Sequence, residues 1–328
     1  MDALLNIFAN EAWTRFTFTL LHTLWQAPLA ALALYLLLRF IPAEQPNRRY
    51  GAASAALGLV VLAAMVTWSL YRLDTPAPAP AASSTAPTLI SHATAAIPAS
   101  VSTPPVASPS SSWTALVAAA WLAGACAGLL RAVCLLLRAG ALRRDASAWD
   151  EPAVRESLAR LKSVLGMTRR VRVALSDRID VPGVIGVLRP IVIFPAAVAA
   201  GMPPAHLDAI LAHELAHIRR YDYWVNLLQL LVEALLFFNP AVWWINRRIR
   251  IEREACCDAL AASATGFPVA YATALADLAG RLNIGAAQPV LAATGNDDKH
   301  VLLDRVKRLL VPGYRPRLGL PWYTLTAL

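Results

Sequence analysis

The segment His213-Glu214-Leu215-Ala216-His217 carries the most specific chemical signature in the chain. On a helix, residues four apart lie on one face, so both imidazoles can bind one metal ion while Glu214 acts beside them as a base. This pattern is typical of metal-assisted hydrolysis. The ordinary alternative is an amphipathic helix whose polar face carries these residues by chance.

A catalytic zinc ion needs three protein ligands and one open position. The best candidate for the third ligand is Glu254. Asp258 follows one helical turn later, where its carboxylate can hydrogen-bond a ligating imidazole and fix its tautomer. Glu252 points to another face, and we expect it to pair with an arginine on a solvated surface. By spacing alone, the same surface pairing explains Glu254 equally well.

Helices and a small sheet must position these side chains. Apolar periodicity and flanking prolines predict helices over residues 151–165, 205–220 and 247–262, of which the last two carry the candidate ligands. Residues 171–175 and 187–194 are rich in β-branched residues and predict strands. Pro190 makes the second an expected edge strand, which would suit binding of an extended peptide by strand addition.

The composition argues against a wholly soluble protein. Of 328 residues, 57% are hydrophobic and only 16% are charged, which is poor in charge for a soluble domain. Three apolar runs are long enough to cross a bilayer, at about residues 16–38, 51–71 and 113–137. The four cysteines imply no disulfide framework.

The positions of the arginines predict the orientation. The net charge is +9, and its arginines flank apolar runs instead of gathering on one soluble domain, which argues against nucleic-acid binding. By the positive-inside rule, the N-terminus lies outside, and residues 146–316 form a cytoplasmic domain behind a transmembrane region over residues 1–145. Residues 74–112, rich in Pro, Ala, Ser and Thr, are expected to be a disordered external loop.

The shared metal constrains the path of the chain. Residues 224–245 are apolar enough for another span, but a single crossing would put His217 and Glu254 on opposite sides of the membrane. Both must lie about 2 Å from one ion. We therefore expect a helix that approaches or enters the membrane, breaks at Asn239-Pro240 and returns, with a bend between Arg219 and Asp222.

Together these motifs resemble the integral-membrane metallopeptidases of the BlaR/MecR type, the bacterial β-lactam sensors and signal transducers. The resemblance covers about residues 5–328 and implies a mainly α, polytopic membrane protein, with N-terminal transmembrane helices and a cytoplasmic α+β gluzincin-type zinc peptidase domain with a small edge-strand sheet. It implies Zn²⁺ held by His213, His217 and Glu254, with Glu214 as base and Asp258 as the outer carboxylate. The motifs are His213-Glu214-x-x-His217, Arg219-Arg220-x-Asp222, Phe238-Asn239-Pro240-x-x-Trp243 and Glu254-x-x-x-Asp258.

The resemblance also implies a place in signalling, with a cytoplasmic transcriptional repressor or the chain itself as the protein substrate. Those receptors continue through a fourth span into an external penicillin-binding domain; residues 317–328 are expected to begin such a span, and the chain contains no Ser-x-x-Lys pattern. The additional oxyanion donor is unassigned, with His300 and Tyr221 as candidates. A homo-oligomer is compatible with the sequence.

Two other functions fit parts of the pattern. One is a membrane quality-control or prenyl-protein endopeptidase of the HtpX or CAAX type, although the long loop of residues 74–112 argues against it. The other is a non-catalytic receptor or scaffold with a structural zinc, to which Cys256 or Cys257 would add a fourth ligand.

Overall fold

The computed structural model describes residues 11–71, 112–281, 298–316, 318–321 and 324. The described part is mainly helical with one small sheet, as predicted. The expected external loop lies outside the described residues apart from Ser112, and so does much of the segment 317–328.

The helices are α1 (Glu11–Phe40), α2 (Pro46–Leu70), α3 (Ser112–Asp145), α4 (Pro152–Val164), α5 (Ala196–Ala199), α6 (Pro204–Arg219), α7 (Asp222–Leu235), α8 (Pro240–Thr265), α9 (Pro268–Arg281) and α10 (Asp298–Leu310). The strands are β1 (Ser147–Ala148), β2 (Arg172–Ser176), β3 (Gly183–Ile185) and β4 (Ile191–Pro195).

Among the described residues, three helices are long and apolar enough to cross a membrane, namely α1, α2 and α3. They coincide closely with the three predicted apolar runs. Many large apolar side chains on them are exposed, such as Leu62, Leu116 and Leu137, as expected for helices whose outer surface contacts lipid.

The sheet has the strand order β1-β2-β4-β3, with β2 and β4 parallel and the outer pairs antiparallel. The prediction that residues 187–194 form an edge strand is wrong. Pro190 lies just before β4, so its missing N–H does not interrupt the pairing of β4 on either side, and all five residues of β4 are buried. The edge strands are instead the short β1 and β3.

Two hydrophobic cores meet along α8. One packs α8 near its start, at Val242 and Ile245, against α1 and α2. The other packs its later residues Ala261 and Ala262 against α4, α6 and the sheet. The segment that carries Glu254 therefore lies where the two cores join.

The helical hairpin α7–α8 has the predicted break. Asn239 caps α8 by accepting a hydrogen bond from the backbone N–H of Ala241 at 3.1 Å, and Pro240 takes the first helical position. The tip of the hairpin is inserted between the long helices: the side-chain amide of Asn239 donates to the carbonyl of Thr23 in α1 at 2.9 Å. The indole of Trp121 in α3 donates to the carbonyl of Leu235 at 2.8 Å.

Candidate metal centre

The helices α6 and α8 bring the three predicted ligands together. Nε2 of His213 lies 3.3 Å from one carboxylate oxygen of Glu254, and Nε2 of His217 lies 3.8 Å from the other. The two imidazole rings are 4.9 Å apart and nearly perpendicular. Each residue therefore turns a ligand atom toward one point, although Glu254 is 37 positions beyond His217 in the sequence.

The distances fit a tetrahedral zinc site. Two ligand atoms about 2.0–2.1 Å from a tetrahedral zinc ion are about 3.3 Å apart, which is the separation of His213 and Glu254. The ligand atoms of His213, His217 and Glu254 all lie within 4.8 Å of one another. Small side-chain adjustments would therefore suffice to hold the ion.

The other nitrogen of each imidazole is held by a carboxylate. Nδ1 of His213 is 3.2 Å from Asp258, and the hydroxyl of Tyr271 lies 2.9 Å from the same nitrogen while donating to Asp258 at 2.7 Å. Nδ1 of His217 is 2.8 Å from Asp222. A proton on each Nδ1 leaves the Nε2 lone pair free for a metal.

Asp222 reaches His217 because the chain turns sharply between α6 and α7. Tyr221 adopts a left-handed backbone conformation with φ 58°, which is costly for a residue with a Cβ. The turn returns the first residue of α7 to the end of α6. The bend predicted between Arg219 and Asp222 is thus confirmed, whereas the contact of Asp222 with His217 was not predicted.

The charges around the site favour a cation. Burial lowers the pKa of His213 most strongly, but Asp258 and Glu254 together raise it to about 10. Burial raises the pKa of Asp258, yet Arg305 and His213 hold it below its ordinary value. The Asp258 carboxylate thus remains ionised and attracts positive charge.

A cleft of about 510 Å³ opens on these residues. Glu214 lines it together with the three ligands, and β3 forms part of another wall. Within the described residues, the far edge of β3 pairs with no other strand. Residues of β3 therefore border the cleft, and the strand has one edge available for pairing.

The structure corrects the expectation for Glu252. Its side chain is fully buried, not on a solvated surface, and it lies 3.0 Å from Arg49 of α2 while accepting hydrogen bonds from Arg308 of α10 at 2.7 and 3.2 Å. Burial raises the pKa of Glu252 most, but the two arginines together hold it below its ordinary value. It does pair with arginines, as expected, but these come from distant elements.

Three other residues were considered from the sequence, Cys257 as a metal ligand and Tyr221 and His300 as oxyanion donors. Cys257 lies on the Nδ1 side of His217, with its sulfur 3.3 Å from that nitrogen and from Asp222, so its sulfur is not directed at the point where the ligands meet. Tyr221 lines the cleft, and the side chain of His300 lies outside the described residues. Sequence reasoning named Asp222 in a motif without giving it a role, and it missed Tyr271 and Arg305 because no local spacing relates them to the ligands.

Comparison with known proteins supplies a family. A family model described as BlaR1 peptidase M56 matches residues 20–309. The regulatory protein BlaR1 of Bacillus licheniformis is 26% identical over 140 residues, which are 43% of this chain and 23% of that protein. The methicillin resistance mecR1 proteins of Staphylococcus aureus and Staphylococcus epidermidis are 27% identical over 90 residues, which are 27% of this chain and 15% of each of those proteins.

Proposed function

This chain belongs to the BlaR1 peptidase M56 family, and from that premise we propose that it is a membrane-embedded zinc endopeptidase of the gluzincin type. The observation that carries the proposal is the convergence of His213, His217 and Glu254 from two helices. The chain matches less than a quarter of the length of BlaR1 and mecR1, so its activity and partners are proposals.

The residues of the site have distinct roles in the proposed hydrolysis. Zinc bound there supplies Lewis-acid chemistry, by acidifying a water molecule and polarising a peptide carbonyl. Glu214 takes the proton of the attacking water at its carboxylate and delivers it to the leaving amine. Asp258 and Asp222 keep the two imidazoles oriented throughout.

The free edge of β3 supports a peptide as substrate. An extended peptide that pairs with this strand gains main-chain hydrogen bonds without regard to its sequence, and it lies along the cleft beside Glu214. The neighbouring side chains then select among peptides. This is strand addition as expected from the sequence, but on β3 in place of β4.

A catalytic site is favoured over a structural one. A structural zinc site is closed by four protein ligands, and among the described residues the group that converges here consists of His213, His217 and Glu254. Cys257 belongs to a different group with Asp222 on the far side of the His217 ring. The fourth position is thus left for water or substrate.

The arginines and the membrane helices support a cytoplasmic site in the bacterial inner membrane. Arg39, Arg48 and Arg49 lie around the junction of α1 and α2, which the positive-inside rule assigns to the cytoplasm. Because Arg49 contacts Glu252, Glu254 lies beside that same junction. The N-terminus is then outside, and residues 146–316 act at the inner leaflet.

The names of the relatives support a role in β-lactam resistance signalling. They are called a regulatory protein and a methicillin resistance protein. We infer that this chain relays an external signal by cleaving a cytoplasmic repressor or itself. The family assignment favours this role over an HtpX or CAAX type of protease.

The test is to compare Glu214→Gln with His213→Ala in purified protein. We expect Glu214→Gln to retain zinc and to cleave a peptide library about 10²–10⁴-fold more slowly, because only the proton transfer is lost. His213→Ala should lose zinc and cleavage together. Wild-type cleavage by Glu214→Gln would overturn the proposal.

A further inference from the structure

The helix α10 presents two arginines to α8 beside the metal centre. Arg305 and Arg308 are three residues apart and therefore share a face of α10. Arg305 binds Asp258, and Arg308 binds Glu252. The two contacts lie on either side of Glu254 along α8.

Arg305 holds Asp258 through a bidentate contact. Its Nε donates to one carboxylate oxygen at 2.8 Å, and its Nη2 donates to the other at 2.7 Å. A planar guanidinium paired in this way fixes the plane of a carboxylate as well as its position. Asp258 is almost fully buried, so water cannot replace this partner at low cost.

The fixed carboxylate in turn sets the orientation of His213. The oxygen that receives Nη2 of Arg305 is also the one 3.2 Å from Nδ1 of His213 and the acceptor of the Tyr271 hydroxyl. Arg305 also approaches the Glu254 carboxylate, with Nη2 at 3.9 Å from the oxygen that faces His213. It therefore acts on two of the three proposed ligands.

We infer that Arg305 is a positioning residue of the metal centre, acting on His213 through Asp258 and on Glu254 through its charge. The inference rests on the proposed function for the identity of the metal. It extends the site beyond the two helices that carry the motifs, to a residue 47 positions after Asp258. Loss of such an outer partner lowers metal affinity about 10–100-fold.

The experiment measures zinc affinity by competition with a chelating dye in full-length detergent-solubilised protein, and the absorption spectrum of the Co²⁺-loaded form. Arg305→Gln should bind zinc about 10–100-fold more weakly and shift the Co²⁺ bands, because His213 and Glu254 change orientation. Arg305→Lys keeps the charge without the planar, two-pronged geometry of the guanidinium, so its zinc affinity should also fall by several-fold.

Two variants serve as controls. Lys307→Gln, whose ammonium lies over the Tyr314 ring, should match the wild type. Arg308→Gln, which removes the other contact of α10 with α8, should lower thermal stability but leave the Co²⁺ bands in place.

Three outcomes separate the hypotheses. Wild-type zinc affinity in either folded Arg305 variant would overturn the inference. Equal losses of affinity in Arg308→Gln and Arg305→Gln would also overturn it, because docking of α10 would then be the cause. Failure of the wild type to bind zinc or Co²⁺ would instead refute the proposed function.

Discussion

At the scale of single residues, the two imidazoles are held in the same way by carboxylates of different origin. Asp258 lies one turn after Glu254 on α8, whereas Asp222 begins a new helix after a left-handed turn. Each carboxylate is close to an Nδ1 nitrogen and buried. A buried carboxylate next to a ligating imidazole raises its basicity and fixes its rotation.

Replacing Asp222 with alanine should therefore weaken zinc binding. His217 would lose its Nδ1 partner at 2.8 Å, and we expect about a 10–100-fold lower zinc affinity by chelator competition. Asp277→Ala is the matched control, because Asp277 is exposed and contacts His206 outside the site. An unchanged affinity in Asp222→Ala would show that the contact does not support the metal.

The sequence predicted the residues whose spacing follows from the helix itself. His213 and His217, or Glu254 and Asp258, share a face because four residues make about one turn, and the structure brings all four together. Asp222, Tyr271 and Arg305 depend on the direction of a turn or on long-range packing, which local spacing does not encode. The expectation that Glu252 lies on the surface failed because its partners, Arg49 and Arg308, belong to helices far away in sequence. Local spacing gives no sign of them.

At the scale of elements, the junction of α6 and α7 depends on one unfavourable backbone conformation. Tyr221 has φ 58°, and Arg169 lies over its ring. A left-handed conformation costs an ordinary residue about 1–2 kcal/mol, and glycine adopts it freely. The turn directs Asp222 toward His217.

We expect Tyr221→Val to destabilise the protein further, because β-branched side chains tolerate this conformation least. Zinc affinity should fall with it as Asp222 moves. Tyr221→Gly relieves the strain and should keep the affinity of the wild type. Thermal unfolding measures the change in stability, and chelator competition measures the change in zinc affinity. Equal stability and equal affinity in the two variants would contradict this role of the turn.

Packing of the hairpin against α3 depends on small residues. A Cβ added at Gly128 would lie 3.0 Å from the Cα of Ala234 in α7, so the two backbones are in close contact. Because the obstacle is backbone and cannot rotate away, α3 and α7 must separate by a few tenths of an ångström in Gly128→Ala, which should offset the roughly 0.5–1 kcal/mol that alanine gains over glycine inside a helix. Gly58→Ala in α2 has open space around it and should be stabilising by about 0.5–1 kcal/mol. The measurement is the unfolding temperature of the two variants in detergent. Equal temperatures would mean that α7 can move away from α3 without cost.

At the scale of the whole molecule, α8 runs beside α1 from the middle of the helical bundle to the metal centre. Asn239 contacts Thr23, and Arg49, which donates to the carbonyl of Leu38 at 2.8 Å, contacts Glu252. From Asn239 to Glu254 is about 22 Å of helix, and from Thr23 to the end of α1 is about 25 Å. The metal centre therefore lies level with the end of α1. This explains how the α7–α8 hairpin enters the bundle while the candidate ligands on α6 and on α8 stay at the same end of it.

Arg49 is the buried link between these parts. It donates to the carbonyls of Leu38 and Ile41 at 2.8 Å each and lies 3.0 Å from Glu252, and both charged side chains are almost fully buried. Removing one partner of a buried ion pair leaves the other charge poorly compensated, at a cost of about 3 kcal/mol even though Arg308 remains. Arg49→Gln should therefore unfold at a lower temperature, and proteases should cut the α1–α2 junction sooner.

Arg48→Gln removes the same charge from an exposed neighbour and should behave like the wild type. If both variants unfold at the same temperature, the buried pair does not join the long helices to the metal centre, and the packing of α8 on α1 and α2 must do so alone.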